Sequence, residues 1–234
     1  MGRVRACRAA DLADAMDALG LVNTGSMSPA MRPIRPGLRM AGLAYTVQLL
    51  PAQVAARPCA TIAEYWEALN RWCEDTYAFT AGLRAGEGRE SVVVIDMGGC
   101  PGGIWGSAIG LDSLKWGVVG AVIDGGCRDS AECNGEQLAV WCTVRTSNHV
   151  YARVVNGGVN VAVRCAGVTV YPRDVVCGDD DGVVVIPQKH AREVVTFAEA
   201  IHEADQRVRA QGYRDLGLTL DESLGPHGAE PPES

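Results

Sequence analysis

Val92-Val93-Val94-Ile95-Asp96-Met97-Gly98-Gly99-Cys100-Pro101-Gly102-Gly103 is the stretch from which the fold of this chain is read. Four consecutive β-branched residues without polar alternation predict a strand covered on both faces, as parallel strands between helices are. The glycines after Asp96 predict a loop, and a helix is expected from about Trp105 to Trp116, ended by Gly117. Val118–Asp124 repeats the apolar run and predicts the next buried strand. Strand, glycine loop, helix and strand form a βαβ-like unit.

Outward from this unit, Asp11–Leu19 reads as a first helix with Asp11 as cap, and Leu43–Leu50 as a strand. Thr61-Ile62-Ala63-Glu64 has capping-box spacing and opens a second helix, with Ile62, Trp66, Leu69 and Cys73 along one side. Leu138–Pro187 reads as short strands broken by Asn156-Gly157-Gly158, Ala166-Gly167 and Asp179–Gly182, and a last helix covers about 189–210. The fold class is α/β, a β-rich core flanked by helices. One domain over 1–218 with an inserted helical segment at about 51–88 is expected, followed by a disordered tail over 219–234.

Charge and composition narrow the function. The chain has 234 residues, 28 acidic against 21 basic, and a net charge of −7. No Lys/Arg-rich block exists to track a phosphate backbone, so nucleic acid is not expected as a partner. No apolar run approaches the roughly 20 residues that span a bilayer, and the start of the chain lacks a signal-peptide core, so a soluble, cytoplasmic protein is expected with no membrane partner. Nine cysteines, an odd number without a CxxC, are read as reduced, mostly buried thiols rather than disulfides or a zinc site.

The chemistry concentrates in Ile123-Asp124-Gly125-Gly126-Cys127-Arg128-Asp129. Carboxylates and a guanidinium follow a buried strand at the kind of strand end where ligand sites gather. A carboxylate can hold a hard divalent cation while the neighbouring arginine grips a substrate carboxylate, and a turn with ordinary ion pairs is the alternative. Asp96–Gly102 superficially resembles a methyltransferase glycine loop, but Cys100 stands at its third glycine position and no Lys-Ser/Thr follows. The helix start near Gly106 offers backbone N–H groups to an anion. Asp179-Asp180-Asp181-Gly182 lacks the alternating ligands of a calcium loop and reads as a hairpin turn. The four histidines, His149 among them, read as structural or solvated, and Cys127 or Cys133 beside Arg128 as a thiolate nucleophile lacks an identifiable base.

An ordered set of segments resembles the RraA-like family, which includes the class II 4-hydroxy-4-methyl-2-oxoglutarate / 4-carboxy-4-hydroxy-2-oxoadipate aldolases and a ribonuclease E regulator, and whose members also carry a demethylmenaquinone methyltransferase-like label. The segments are 14–20, Ile34-Arg35-Pro36-Gly37 with 41–44, Trp105-Gly106, 119–129, 167–172 and 179–187. The resemblance implies a β/β/α swivelling domain, assembled as a homotrimer or homohexamer with sites between subunits. It implies a divalent cation, magnesium or manganese, and a small 2-oxo acid substrate cleaved or decarboxylated through a pyruvate enolate. By position, Asp129 would hold the metal and Arg128 the substrate oxygens. Gly106 and the backbone amides of Ala108 and Ile109 would take the carboxylate. Asp205, or as second choice Glu203, would reach a neighbour's site as a further acidic or metal-binding group.

Three departures stand beside the resemblance. Ser107 occupies the position after Trp-Gly where the family aldolases carry an acid, and a hydroxyl supplies neither that charge nor a ready proton acceptor. Pro51–Gly88 is longer than its family counterpart and adds Tyr65, Trp66, Trp72 and Tyr77, either core packing or an added lid or altered substrate pocket. Pro172-Arg173-Asp174 replaces a Pro-Gly-Asp turn. The sequence thus points to a metal-dependent lyase, with a specialised isomerase or dehydratase, or a non-catalytic regulatory protein on the same scaffold, as alternatives.

Overall fold

Apolar strand patterning decides the architecture. In the computed structural model, which describes residues 1–53 and 56–228, the elements run α1 (Gly2–Ala6), α2 (Ala9–Ala18), β1 (Arg32–Pro33), β2 (Met40–Pro51), α3 (Ile62–Thr76), α4 (Thr80–Gly82), β3 (Ser91–Trp105), α5 (Ser107–Lys115), β4 (Gly120–Cys127), α6 (Ser130–Gly135), β5 (Val140–Arg145), β6 (Val154–Val159), β7 (Val163–Cys165), β8 (Val168–Val170), β9 (Val175–Asp179), β10 (Gly182–Ile186) and α7 (Ala191–Asp215). One mixed sheet has the order β1-β5-β4-β3-β2-β9-β10, with β6 also on β2. Its centre, β2 to β5, is parallel, and the flanking pairs are antiparallel. The α/β class read from the sequence is the one observed, a large mixed sheet flanked by helices.

Val92, Val93, Val94 and Ile95 are fully buried, as a two-sided strand requires. The expected glycine loop, however, is part of β3. Asp96 pairs with Asp124 and Trp105 with Cys127, so the longer β3 bulges repeatedly against β4. Gly98 and Gly99 take φ of 57° and 76°, the left-handed conformation that absorbs the extra residues. The helix that follows therefore begins at Ser107, later than the sequence suggests.

The helices correct three further expectations. Arg8, not Asp11, is the N-cap of α2. Asp11 is buried, and its carboxylate accepts two hydrogen bonds from Arg8, at 2.9 and 2.6 Å. Thr61 does cap α3, its hydroxyl accepting the Glu64 N–H at 3.2 Å, but the face is not the one expected: Ile62 and Trp66 are exposed while Leu69 is buried. The reason is that α3 packs at the sheet margin, against β6 and the turn before it, with Tyr65 and Trp72 edge-on to Tyr151 at 6.0 and 5.7 Å and Asp75 accepting the Asn156 N–H at 2.9 Å. Part of the expected tail, Glu222–Gly228, forms a turn that buries Leu224 completely; residues 229–234 lie outside the described residues. A single leucine among Gly, Pro and polar residues gives no periodicity, and Gln206 and Arg209 hold the turn by hydrogen bonds to Ser223.

α7 lies against α2, and Leu12, Met16, Val194, Ala198 and Ile186 form a second apolar cluster there. No helix among the described residues is long and apolar enough to cross a membrane.

Candidate functional site

The C-terminal end of β4 positions the central residues. The Arg128 N–H donates to Trp105 O at 2.9 Å, which fixes the strand exit beside the end of β3. Asp129 follows with φ 54° and ψ 41°, a left-handed conformation that Asp tolerates better than most residues. It is the N-cap residue of α6, yet its side chain makes no capping hydrogen bond. The carboxylate instead turns toward Gly106, where a Cβ on that glycine would collide with Oδ2. Arg128 Nε lies 3.7 Å from Asp129 Oδ1, an electrostatic contact too long for a hydrogen bond, and both side chains are little more than one-third exposed. Both charged ends therefore remain open to a ligand.

Gly106 is the N-cap of α5, and the first intrahelical bond is Gly110 N–H to Gly106 O at 3.0 Å. The amides of Ser107, Ala108 and Ile109 precede it and have no intrahelical acceptor, so the helix opens on an anion-favouring end directly beside Arg128 and Asp129. Ser107 Oγ donates to Glu136 Oε1 at 2.7 Å, and Glu136 Oε2 is buried with no hydrogen-bond partner. The structure thus brings Arg128, Asp129, Gly106, Ser107, Ala108 and Ile109 together. Asp205 and Glu203 are not brought to Asp129 within the chain: Asp205 Oδ2 accepts from Arg8 at 2.9 Å, and Glu203 pairs with Arg207 at 3.2 Å on the exposed side of α7.

Two nearby side chains escape a sequence reading. Glu136 is the first, 29 residues from its partner. His149 is the second: Gly103 donates to Asn148 O at 2.9 Å, and the Arg128 side chain lies against the same glycine. His149 Nδ1 accepts the Tyr151 N–H at 2.9 Å, which assigns the proton of the neutral ring to Nε2. Burial, then the Arg128 and Arg153 charges, hold its pKa below the ordinary 6.5, while Asp129 pulls the other way. No spacing in the chain signals either residue, because each reaches the site only through tertiary packing.

Burial and hydrogen bonding account for the remaining candidates, which the sequence already read as poor ones. Cys127 and Cys133 are fully buried, and both Sγ atoms point at Arg128 O, at 3.5 and 3.7 Å. Hydrogen bonds to Cys133 and Cys142, followed by burial, push the Cys127 thiol far up, so it is no thiolate nucleophile. All nine cysteines are free. Asp124 accepts the Ala166 N–H at 2.8 Å and Asp96 those of Gly98 and Arg164, which ties β7 to the sheet rather than serving a ligand.

The segment before β3 borders the site. Tyr77 at the end of α3 donates from its hydroxyl to Ile104 O at 3.0 Å. A cavity of about 540 Å³ lies between it and α5, lined by Cys73, Tyr77, Ala108, Ile109, Asp112 and Trp116 among others. A larger cavity of about 660 Å³, walled by Thr169, Tyr171 and Gln188, touches none of the site residues.

Donor chemistry tests the expected cation. Among the described residues no group of three or more His, Cys, Asp or Glu side chains is arranged to hold a metal. The open Asp129 carboxylate nevertheless fits magnesium or manganese, hard ions that bind through one or two carboxylates and complete their shell with water and substrate oxygens.

Comparison with known proteins gives a consistent picture. The family described as RraA-like, Aldolase/RraA, matches residues 9–185. Protein DlpA of Legionella pneumophila is 28% identical over 206 residues, covering 87% of this chain and 30% of that protein. A Halalkalibacterium halodurans protein named "Putative 4-hydroxy-4-methyl-2-oxoglutarate aldolase" is 30% identical over 130 residues, 55% of this chain and 61% of its own length. The chain thus spans under one-third of DlpA and about three-fifths of the aldolase-named relative. The crystal structure of Streptomyces coelicolor RraAS2, described as an unusual member of the RNase ES inhibitor RraA protein family, superposes with a TM-score of 0.70 at 24% identity, over 88% of this chain and 93% of that one.

Proposed function

Because the chain belongs to the RraA-like family, we propose that it is a divalent-cation-assisted lyase acting on a small 2-oxo acid, by retro-aldol cleavage or oxaloacetate-type decarboxylation. The observation that carries this reading is the open Arg128–Asp129 turn set against the unpaired amide end of α5, with Gly106 permitting the close approach. Relatives named as aldolases support the same reaction class.

In this reading Asp129 holds the cation, and the amides of Ala108 and Ile109 donate to the substrate carboxylate at the positive end of α5. When bound there, magnesium or manganese supplies Lewis-acid polarisation of the 2-oxo group. Arg128 places its guanidinium where the enolate oxygen develops charge, a fixed donor that needs no reorganisation. His149, neutral through burial and offering Nε2–H, lines the side of the site toward Gly103. In the same reading α3 and the turn after it, part of an inserted segment within one domain over 1–218, form one wall of the site. Assembly as a trimer or hexamer, with Asp205 or Glu203 reaching a neighbour's site, is part of the same proposal. Asp205 then exchanges Arg8 for the neighbour.

Ser107 favours one second reading, a regulatory or binding protein that has kept the scaffold and lost the acid. Pyruvate release from oxaloacetate and from 4-hydroxy-4-methyl-2-oxoglutarate, with magnesium or manganese and then with chelator, separates the two. Chelator-sensitive release that disappears in Asp129→Ala is expected. A folded protein with no release, or an Asp129→Ala variant of unchanged activity, overturns the lyase reading.

A further inference from the structure

The hydroxyl of Ser107 is a poor base alone, but it is not alone. Its proton is committed to Glu136 Oε1, 2.7 Å away, so the lone pairs of Oγ are the part of the group left for a ligand in front of α5. Glu136 itself sits just past the end of α6, as the C-cap. Its second oxygen is shut off from water and accepts nothing. A carboxylate serving only to clasp two helices together would gain by spending both oxygens, because a buried acceptor left without a donor is unfavourable. Ser107 in turn is the residue after Gly106, against which the Asp129 carboxylate is pressed.

We infer that Ser107 and Glu136 act as one base: Ser107 Oγ takes the proton of the substrate's hydroxyl while passing its own to Glu136. The inference rests on the lyase reading above and supplies the group that reading lacks. In the retro-aldol step the substrate O–H bond breaks and its electron pair becomes the new C=O. The carbon–carbon bond breaks, and its pair forms the C=C of the enolate, with the negative charge on the former 2-oxo oxygen facing Arg128. The proton held on Glu136 returns through Ser107 to the enolate carbon and forms the methyl group of pyruvate. The hydroxyl hydrogen has then moved from oxygen to carbon, with no net uptake or release. Glu136 touches no substrate atom and works through Ser107, as a positioning and proton-holding residue.

Two readouts test this on the full chain with magnesium: pyruvate release from 4-hydroxy-4-methyl-2-oxoglutarate, and exchange of the pyruvate methyl protons in D2O followed by NMR. Glu136→Gln keeps the shape and removes the proton acceptor, and Ser107→Ala breaks the relay from its other end. Each lowers kcat and the exchange rate by about 100-fold, the usual scale of one acid–base group, with KM changed by less than about threefold. The double variant is no slower than Ser107→Ala alone, because both changes cut one path. Ser107→Asp placed in the Glu136→Gln background supplies a direct carboxylate and recovers at least about tenfold, which a merely structural Glu136 does not allow. A Glu136→Gln protein within about twofold of the parent, or one that Ser107→Asp fails to rescue, overturns the relay and leaves the lyase reading intact. A parent chain inactive in both assays overturns the lyase reading and the relay with it.

Discussion

Removing the Asp11 carboxylate tests how α7 is held. Asp11 is 2% exposed, accepts two hydrogen bonds from Arg8, and has His202 Nδ1 3.0 Å from Oδ2. Breaking a buried ion pair by deleting one partner costs about 3–5 kcal/mol. Here Arg8 is about one-third exposed and keeps Asp205 at 2.9 Å, so the lower end, about 3 kcal/mol, applies. For a chain of this size each kcal/mol moves Tm by about 2–4 °C, giving a fall of about 6–12 °C for Asp11→Ala. Asp205→Ala is the internal control: it meets the same arginine, but both side chains are more than one-third exposed, so its cost is below about 1 kcal/mol and is screened by salt. Calorimetric melts at matched protein concentration read both. Melting temperatures of the two variants within about 2 °C of each other refute the burial argument.

Gly106→Ala adopts its extended φ of −166° without strain, but its methyl group displaces the Asp129 carboxylate. A misplacement near 1 Å predicts a metal-dependent rate about 100-fold lower with Tm almost unchanged, checked by turnover beside a melt. The folded-state pKa of His149 lies below 6.5, so the unfolded chain takes up that proton first on acidification. Its contribution therefore lowers stability progressively as pH falls from 6.5 toward the folded-state pKa and stays constant below that, while above 6.5 it is absent. An NMR titration midpoint at or above 6.5 contradicts the burial of this ring. Tyr151→Ala removes two edge-on ring contacts, each about 0.5–1.5 kcal/mol beyond buried area, and frees α3 from its seat. Hydrogen exchange accelerates over Ile62–Thr76 and not over β3 or β4; equal acceleration in the sheet counts against a separately seated helix.

The parallel centre was legible because Val92–Ile95 and Val118–Asp124 are apolar without alternation, and only a strand covered twice tolerates that. Asp179–Gly182 was legible as a turn because Asp180-Asp181 separates two strands that pair Asp179 with Gly182. The exposed side of α3 was not. Periodicity reports which residues share a face, and nothing in Ile62, Trp66 or Leu69 says whether that face meets the middle of a sheet or its margin. The glycine segment misled for a related reason: glycines permit a loop and a bulged strand equally, and the partner strand decides. At the site, Arg128 and Asp129 were adjacent in sequence and so readable as a pair. Glu136 was invisible there and His149 read only as structural or solvated, since Ser107–Glu136 exists only because α5 and α6 pack side by side.

β2 has a consequence for how the chain is made. It pairs with β3, β6 and β9, and its Met40–Leu43 portion waits for Val175–Gly178. On a ribosome adding about 5–20 residues each second, roughly 130 residues must follow before that edge is closed, an interval of about 6–26 s. Throughout it, a strand of mostly apolar residues stands with one row of peptide groups uncovered. Yield during expression is therefore set by how fast the second half of the polypeptide emerges, and synonymous changes that slow translation between β6 and β9 lengthen the period in which nascent chains can stick to one another.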